Sequence, residues 1–429
     1  MRTAVTFTLN NPEKFKKQLL QWAQQFREVV FLDSNNYHQQ YTSYDAVLAA
    51  DALTAIQTDC NNAFEELNSY QQTTKDWLFG YLSYDLKNDT EKLQSANFDG
   101  LQFPDLFFFQ PKKLFLLQGN QLEIAYLNMC DDEVNTDFET INNSELVIDN
   151  DSLGAVIKQR VSKQDYIDKV TQMLVHIHKG DIYEANFCME FYAENTTIQP
   201  VTTYNKLNAI SQPPFATYFK NNQHYLLSAS PERYLKKEGS TIVSQPIKGT
   251  ARRSEDATED ESIKQALTVN EKERSENIMI VDLIRNDLSR TAAKNSVQVK
   301  ELCGAYTFKQ VHHLISTITS EVAEEHTPVD VLKTTFPMGS MTGAPKISAM
   351  EIIEKLEATK RGLYSGAVGY FTPNGNFDFN VVIRSILYNK ANKYVSFSVG
   401  SAITSKSDPE KEYEECLLKA KAMHNVLEV

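Results

Sequence analysis

The chain predicts an α+β fold with large antiparallel sheets. Three observations carry that expectation. Predicted strands and helices come in blocks, without the strict β-α-β alternation of a parallel sheet. Hairpin signals recur, the clearest being two alternating runs around Gly119-Asn120 in residues 112–127. No segment repeats at a fixed period, which argues against a solenoid or propeller.

The elements follow in order. Residues 13–26 (EKFKKQLLQWAQQF) space their apolar side chains for an amphipathic helix, and 27–34 (REVVFLDS) read as a strand entering a turn. Residues 75–88 suit a strand and a loop, and 112–127 a hairpin. Residues 128–160 are acidic, rich in Asn and Asp and weakly periodic, so they read as a solvated seam. That divides the chain into an N-terminal region, 1–150, and a second region, 160–429. Ser162 and Asp165 form a capping-box variant opening a helix that ends near Gly180. Residues 181–195 alternate like a strand, and 224–253 read as a strand, a turn, a hairpin and a loop. Helices are expected through much of 259–292, over 346–357, and over 408–427 behind Asp408-Pro409. Residues 366–388 predict a hairpin and 393–404 a strand.

Composition bounds the function. The 429 residues carry 43 Lys and Arg against 56 Asp and Glu, a formal net charge of −13. Such a surface repels phosphate backbones and argues against general nucleic-acid binding. No apolar run approaches a membrane span and the start lacks a signal-peptide layout. Five scattered cysteines without a C-x-x-C pair suggest free thiols and a cytoplasmic location. Cys188 reads as a buried thiol rather than a nucleophile.

Several residues have chemistry-bearing patterns. Glu273 with Glu276, and Glu412 with Glu415, are carboxylate pairs at i, i+3, each on one helix face. Facing each other they make a hard-oxygen site suited to Mg²⁺; alone, each is a solvated acidic face. Lys248 lies between Pro246 and Gly249, in a loop stiff on one side and open to close approach on the other. Its amine can act as a nucleophile if its pKa is lowered. Glu232 follows a strand and a proline, a place for a general acid or base, or for an ion pair with Arg233. His312 and His313 point in different directions and make a poor metal pair. Gly-rich turns are expected at 336–346 and 398–404, where backbone N–H groups can hold carboxylates; neither fits a nucleotide-binding motif. Arg384, in an apolar run, needs an anionic partner, and a carboxylate ligand is one candidate.

In order and context, GDIYEANFCMEF, SASPERY, QPIKGTARR, ERSENIMIVDLIRND, VHHLIS, FPMGSMTGAPKISAMEII, GAVGYF, VVIRSILY and SDPEKEYEE resemble the chorismate-utilising enzymes. The resemblance is strong over about 160–425 and weaker before, through residues 31–34 and 79–86. It implies two large antiparallel sheets packed together with peripheral helices, the N-terminal segment woven into the same body. It implies Mg²⁺ held by Glu276 and Glu415, with Glu273 and Glu412 completing the acidic shell through water. Tyr364, Arg384 and Lys419 match positions that contact substrate carboxylates. Gly249, Thr250, Thr342, Gly400, Ser401 and Ala402 match the pocket lining, and His313 a histidine near the ring.

Within the family, the lysine of QPIKGT resembles the aminodeoxychorismate synthase branch, where anthranilate synthases carry alanine. That branch implies covalent attack by Lys248 with Glu232 as acid, and requires a neutral Lys248. It also implies ammonia supplied by a separate glutamine amidotransferase subunit. Alternatives are anthranilate synthase, isochorismate or salicylate synthase, and a non-catalytic scaffold for the glutaminase. Two residues depart from the pattern: Glu184 stands where glutamine is common, and Gly-Ser-Ala at 400–402 where Gly-Ala-Gly is usual. A tryptophan-like ligand pocket around Ser34 and Pro214-Phe215 is a further family feature; plain packing is the expectation here.

Overall fold

The computed structural model describes residues 1–37, 40–146, 154–309 and 311–428. Among these, twenty strands join in one hydrogen-bonded network and every ladder between named strands is antiparallel, with eleven α-helices around it. The predicted helices form close to where their caps place them. The helix Lys163–Lys179 starts on a reciprocal Ser162/Asp165 capping box and stops at Gly180 with φ +85°. The C-terminal helix Pro409–Leu427 starts on Asp408, whose carboxylate accepts from the Glu410 and Lys411 N–H groups. The Gly119 hairpin joins Leu106–Gln118 to Gln121–Leu127.

Both faces of the central strands are buried, so neighbouring residues there feed different cores. Phe31, Tyr218, Leu227 and Phe187 enter one core; Val30, Phe219, Leu226 and Cys188 enter the other. This period-two division is why those strands read as continuous apolar runs. N-terminal strands lie inside the network. Glu28–Asp33 pairs with Phe215–Asn221, and Leu78–Leu82 pairs with Ala367–Phe371.

Four local expectations change. The acidic stretch 128–160 contains a helix, Val134–Asn143, that buries Val134 and Ile141 and stacks Phe138 on Phe7 at 3.9 Å. These apolar contacts, with Asp137 accepting from Lys113 and Tyr126, hold it despite its polar composition; residues 147–153 of that stretch lie outside the described residues. The Lys248 segment is a strand, Ile247–Arg252, whose register shifts between Ile247 and Thr250, so it is a bulge and not a loop. Gly400, Ser401 and Ala402 are mid-strand in Tyr394–Thr404, paired along Glu184–Ala193, and do not form a turn. Arg384 sits between strands Phe377–Val381 and Ser385–Asn389 with φ +52°, in left-handed backbone. Among the described residues no helix is long and apolar enough to cross a membrane.

Candidate active site

The site begins at the bulge. Gly249 takes φ +95°, and a Cβ there would meet Leu314 Cδ1 at 3.1 Å and Glu273 Oε2 at 3.2 Å. Glycine is needed for both reasons. The bulge presents Lys248 inward, where its Nζ lies 2.9 Å from Glu184 Oε1. Asn277, on the helix Glu271–Ser289, donates to the Lys248 carbonyl at 3.2 Å and accepts from the Ser316 hydroxyl. That buried amide ties the acidic helix to two strands.

Burial alone would push the Lys248 amine down, but Glu184, Glu276 and Glu232 face it and hold it above its ordinary range. The expectation of a neutral lysine does not describe this resting arrangement: the amine is an ammonium paired to Glu184. The second oxygen of Glu184 is buried and accepts no hydrogen bond. Glu232 is buried rather than paired with Arg233, which engages Asp378 instead at 3.0 Å. Burial pushes the Glu232 carboxyl up to about 7, opposed by hydrogen bonds from Ser340 and Ile247 N–H and by the Lys248 charge. It is therefore poised to give a proton near neutrality.

His313 lies on the strand Val311–Glu321 opposite Thr250. Its Nδ1 is 2.9 Å from Thr250 Oγ1. Burial and the Arg384, Lys419 and His312 charges push its pKa to about 3, so it works as a neutral ring. His312 points away, between Asp260 and Thr307. Arg384 is pushed down by burial, and the Tyr364, Glu415 and Cys416 side chains act on it. Among the described residues no carboxylate pairs with it within salt-bridge distance, which leaves a guanidinium fork for an anionic ligand. Tyr364 is buried with its hydroxyl 3.9 Å from Cys188 Sγ. Burial raises that thiol far above its usual range, as a buried inert cysteine requires.

Lys419 Nζ reaches the Gly400 carbonyl at 2.8 Å and Glu415 Oε1 at 2.6 Å. A Cβ on Gly400 would meet Cys188 Sγ at 2.6 Å. Ser401, one residue on, faces the opposite core, where its hydroxyl is 3.2 Å from Tyr166. Its side chain therefore leaves the site, and only its backbone remains beside it. Ala402 continues the strand, with its carbonyl accepting from Ser407. Thr342 is fully buried; its hydroxyl bonds the Met338 and Gly339 carbonyls and its own carbonyl accepts from Asn186 N–H, so it builds the wall.

The two acidic helices face each other through Lys272. Its Nζ lies 3.8 Å from Glu276 Oε1 and 3.8 Å from Glu412 Oε1. Glu276 is pushed up to about 7, chiefly by burial, and its Oε1 is buried without a hydrogen bond. Glu273 is also raised, whereas Lys419 draws Glu415 down. Among the described residues no three acidic, histidine or cysteine side chains already stand as one ligand set. The donors nevertheless suit a hard divalent cation: carboxylates from two helices, and one buried oxygen lacking a donor.

Patterning missed Lys272, Asn277 and Ser340. Their signal is position only: Asn277 follows Glu276 directly, and Ser340 lies in the Gly-rich stretch. A separate, half-open pocket with a cavity volume of about 70 Å³ is lined by Ser34, Pro214, Phe215, Arg233 and Asp378 among others. The side chains expected to pack there line this small void.

The model of the family described as chorismate binding enzyme matches residues 16–425. An anthranilate synthase component I-like protein of Synechocystis is 36% identical over 362 residues, covering 82% of this chain and 72% of that protein. Aminodeoxychorismate synthase component 1 of Bacillus subtilis is 30% identical over 389 residues, covering 87% and 80%. The crystal structure of anthranilate synthase component I from Streptococcus pneumoniae has a TM-score of 0.79 at 24% identity, covering 91% and 94%, which establishes the fold.

Proposed function

The chain belongs to the chorismate binding enzyme family, and from that premise we propose that it is the aminodeoxychorismate synthase subunit that converts chorismate and ammonia to 4-amino-4-deoxychorismate. The observation that carries this reading is Lys248, its side chain only 12% exposed, bonded to Glu184 and within the field of Glu232. A scaffold has no use for a largely desolvated lysine among carboxylates. A lysine nucleophile does.

The steps balance. The Lys248 ammonium passes a proton to Glu184, 2.9 Å away. The free amine bonds to C2, the ring double bond shifts, and the C4 hydroxyl leaves as water with the proton of Glu232. Ammonia then bonds to C4 and the double bond shifts back. The C2–N bond breaks, and Glu184 returns its proton to Lys248. The new ammonium gives its extra proton to Glu232. Two displacements explain retention at C4, which a single one would invert.

Arg384 and Lys419 bind and orient the substrate carboxylates, with Tyr364 beside them. His313, neutral and held by Thr250, packs near the ring. Gly249 and Gly400 let the two strands approach Leu314, Glu273, Cys188 and Asn186 closely at the site. Glu276 and Glu415, with Glu273 and Glu412 around them, would hold Mg²⁺. Bound there, the ion stabilises negative charge on the ring carboxylate as the hydroxyl departs. Ammonia comes, in this reading, from a glutamine amidotransferase partner, and the setting is 4-aminobenzoate and folate synthesis in the cytoplasm. The residues 1–150 accompany a catalytic region at 160–429.

Anthranilate synthase is the second reading, favoured by the 36% identity to the Synechocystis protein. Product analysis separates the two. Purified protein with chorismate, Mg²⁺ and an ammonium salt near pH 8.5 is resolved by liquid chromatography with mass detection. A product with amine in place of hydroxyl and pyruvate retained is expected. Fluorescent anthranilate with free pyruvate would overturn the proposal.

A further inference from the structure

Lys272 is the one cation within salt-bridge distance of both acidic helices among the described residues. Its Nζ is equidistant, at 3.8 Å, from Glu276 Oε1 on its own helix and Glu412 Oε1 on the C-terminal helix. Glu273 and Glu415 act on it too, so all four carboxylates read as metal ligands converge on one ammonium. Glu276 and Glu412 are buried, 9% and 3% exposed. Two carboxylates this desolvated need positive charge between them, or the helices repel.

The contact is not built to last. At 3.8 Å the ammonium makes an ion pair with each oxygen but no hydrogen bond, and Glu276 Oε1 remains without a donor. Lys272 is also 46% exposed, on a four-carbon stem with water beside it. Other lysines of the site are held differently: Lys248 donates to Glu184 and Lys419 to Glu415 and Gly400. Moving the Lys272 head into solvent breaks no hydrogen bond and restores its hydration, so the cost of displacement is small.

We propose that Lys272 is a displaceable counter-cation that occupies the seat of the divalent metal, holds the two acidic helices together in the metal-free protein, and must swing out when the metal binds. The inference rests on the reading of the four carboxylates as the Mg²⁺ site, but not on the identity of the product. Metal binding is then an exchange of one cation for another, and its affinity is lower than the four carboxylates alone would give. The half-exposed lysine acts as a built-in competitor that discourages weak or monovalent occupants.

The test is Mg²⁺ binding by isothermal titration calorimetry, on metal-free wild type and Lys272→Met, with Mn²⁺ and electron paramagnetic resonance as a second probe. Met keeps the stem and removes the charge. The variant should bind Mg²⁺ about tenfold tighter or more, because the competitor is gone. Its metal-free melting temperature should fall below wild type, and Mg²⁺ should raise it by more than it raises wild type. Lys272→Arg, which restores a cation, should return the affinity toward wild type. Equal or weaker Mg²⁺ binding by folded Lys272→Met overturns the inference while leaving the metal site standing. No Mg²⁺ or Mn²⁺ binding by either protein overturns both. A variant that does not fold without metal but is rescued by Mg²⁺ supports the proposal; one that Mg²⁺ does not rescue counts against it.

Discussion

Glu232 shows how one side chain couples mechanism to stability. Its carboxyl titrates near 7 in the fold against a reference of 4.5, because burial disfavours its charged form. A folded-state pKa raised above the unfolded one stabilises the fold fully below 4.5, and that stability is lost as pH rises through about 7. Glu232→Gln removes the titration. The gap between wild type and variant in urea-unfolding free energy should therefore shift by roughly 2–3 kcal/mol in the variant's favour from pH 4.5 to pH 8. An unchanged gap would mean that Glu232 is solvated. Residue types at this scale were partly legible: the motifs marked Lys248, Glu232 and both acidic pairs. Charge states were not, because they depend on contacts remote in sequence. Glu184 lies 64 residues from the lysine it bonds, and nothing in QPIKGT announces a partner that keeps the amine charged. Arg384 likewise reads as strand, since its left-handed backbone leaves no mark on an apolar run.

At the scale of elements, the strand Tyr394–Thr404 divides its labour by alternation. Gly400 faces the site and Ser401 the far core. Gly400→Ala would drive a Cβ to 2.6 Å from Cys188 Sγ and 2.7 Å from Asn186 Oδ1. Its expected cost is about 1–3 kcal/mol, read as a lower melting temperature together with a raised KM for chorismate. A melting temperature and KM equal to wild type would show that the strand relaxes freely. Helices with strong caps were legible in sequence, as Ser162, Gly180 and Asp408 show. The helix Val134–Asn143 was not, because most of its polar residues face solvent and its anchors are Val134, Phe138, Ile141 and the Asp137 ion pair with Lys113, a partner 24 residues away. The bulge at Gly249 reads as a loop because its partner strand begins more than sixty residues later.

For the whole molecule, sheet type followed from block order and hairpin signals, whereas strand order did not, since long-range pairing is set by tertiary packing. The pairing of Glu28–Asp33 with Phe215–Asn221, and of Leu78–Leu82 with Ala367–Phe371, gives a consequence for truncation. Residues 160–429 expressed alone would expose two ladder edges and the apolar faces beside them. That fragment should be insoluble or fail to melt cooperatively, and a soluble fragment with a sharp transition would contradict the interleaving. The same interleaving fixes Lys248, Glu232 and the two acidic helices around one basin, and the central claim is that Lys248 makes this basin an aminating one. The most direct measurement is the product profile of wild type and Lys248→Ala, side by side, with chorismate, Mg²⁺ and ammonium. Wild type should give 4-amino-4-deoxychorismate, and Lys248→Ala none above background. The same amount of that product from a folded Lys248→Ala, or anthranilate from wild type, would contradict it.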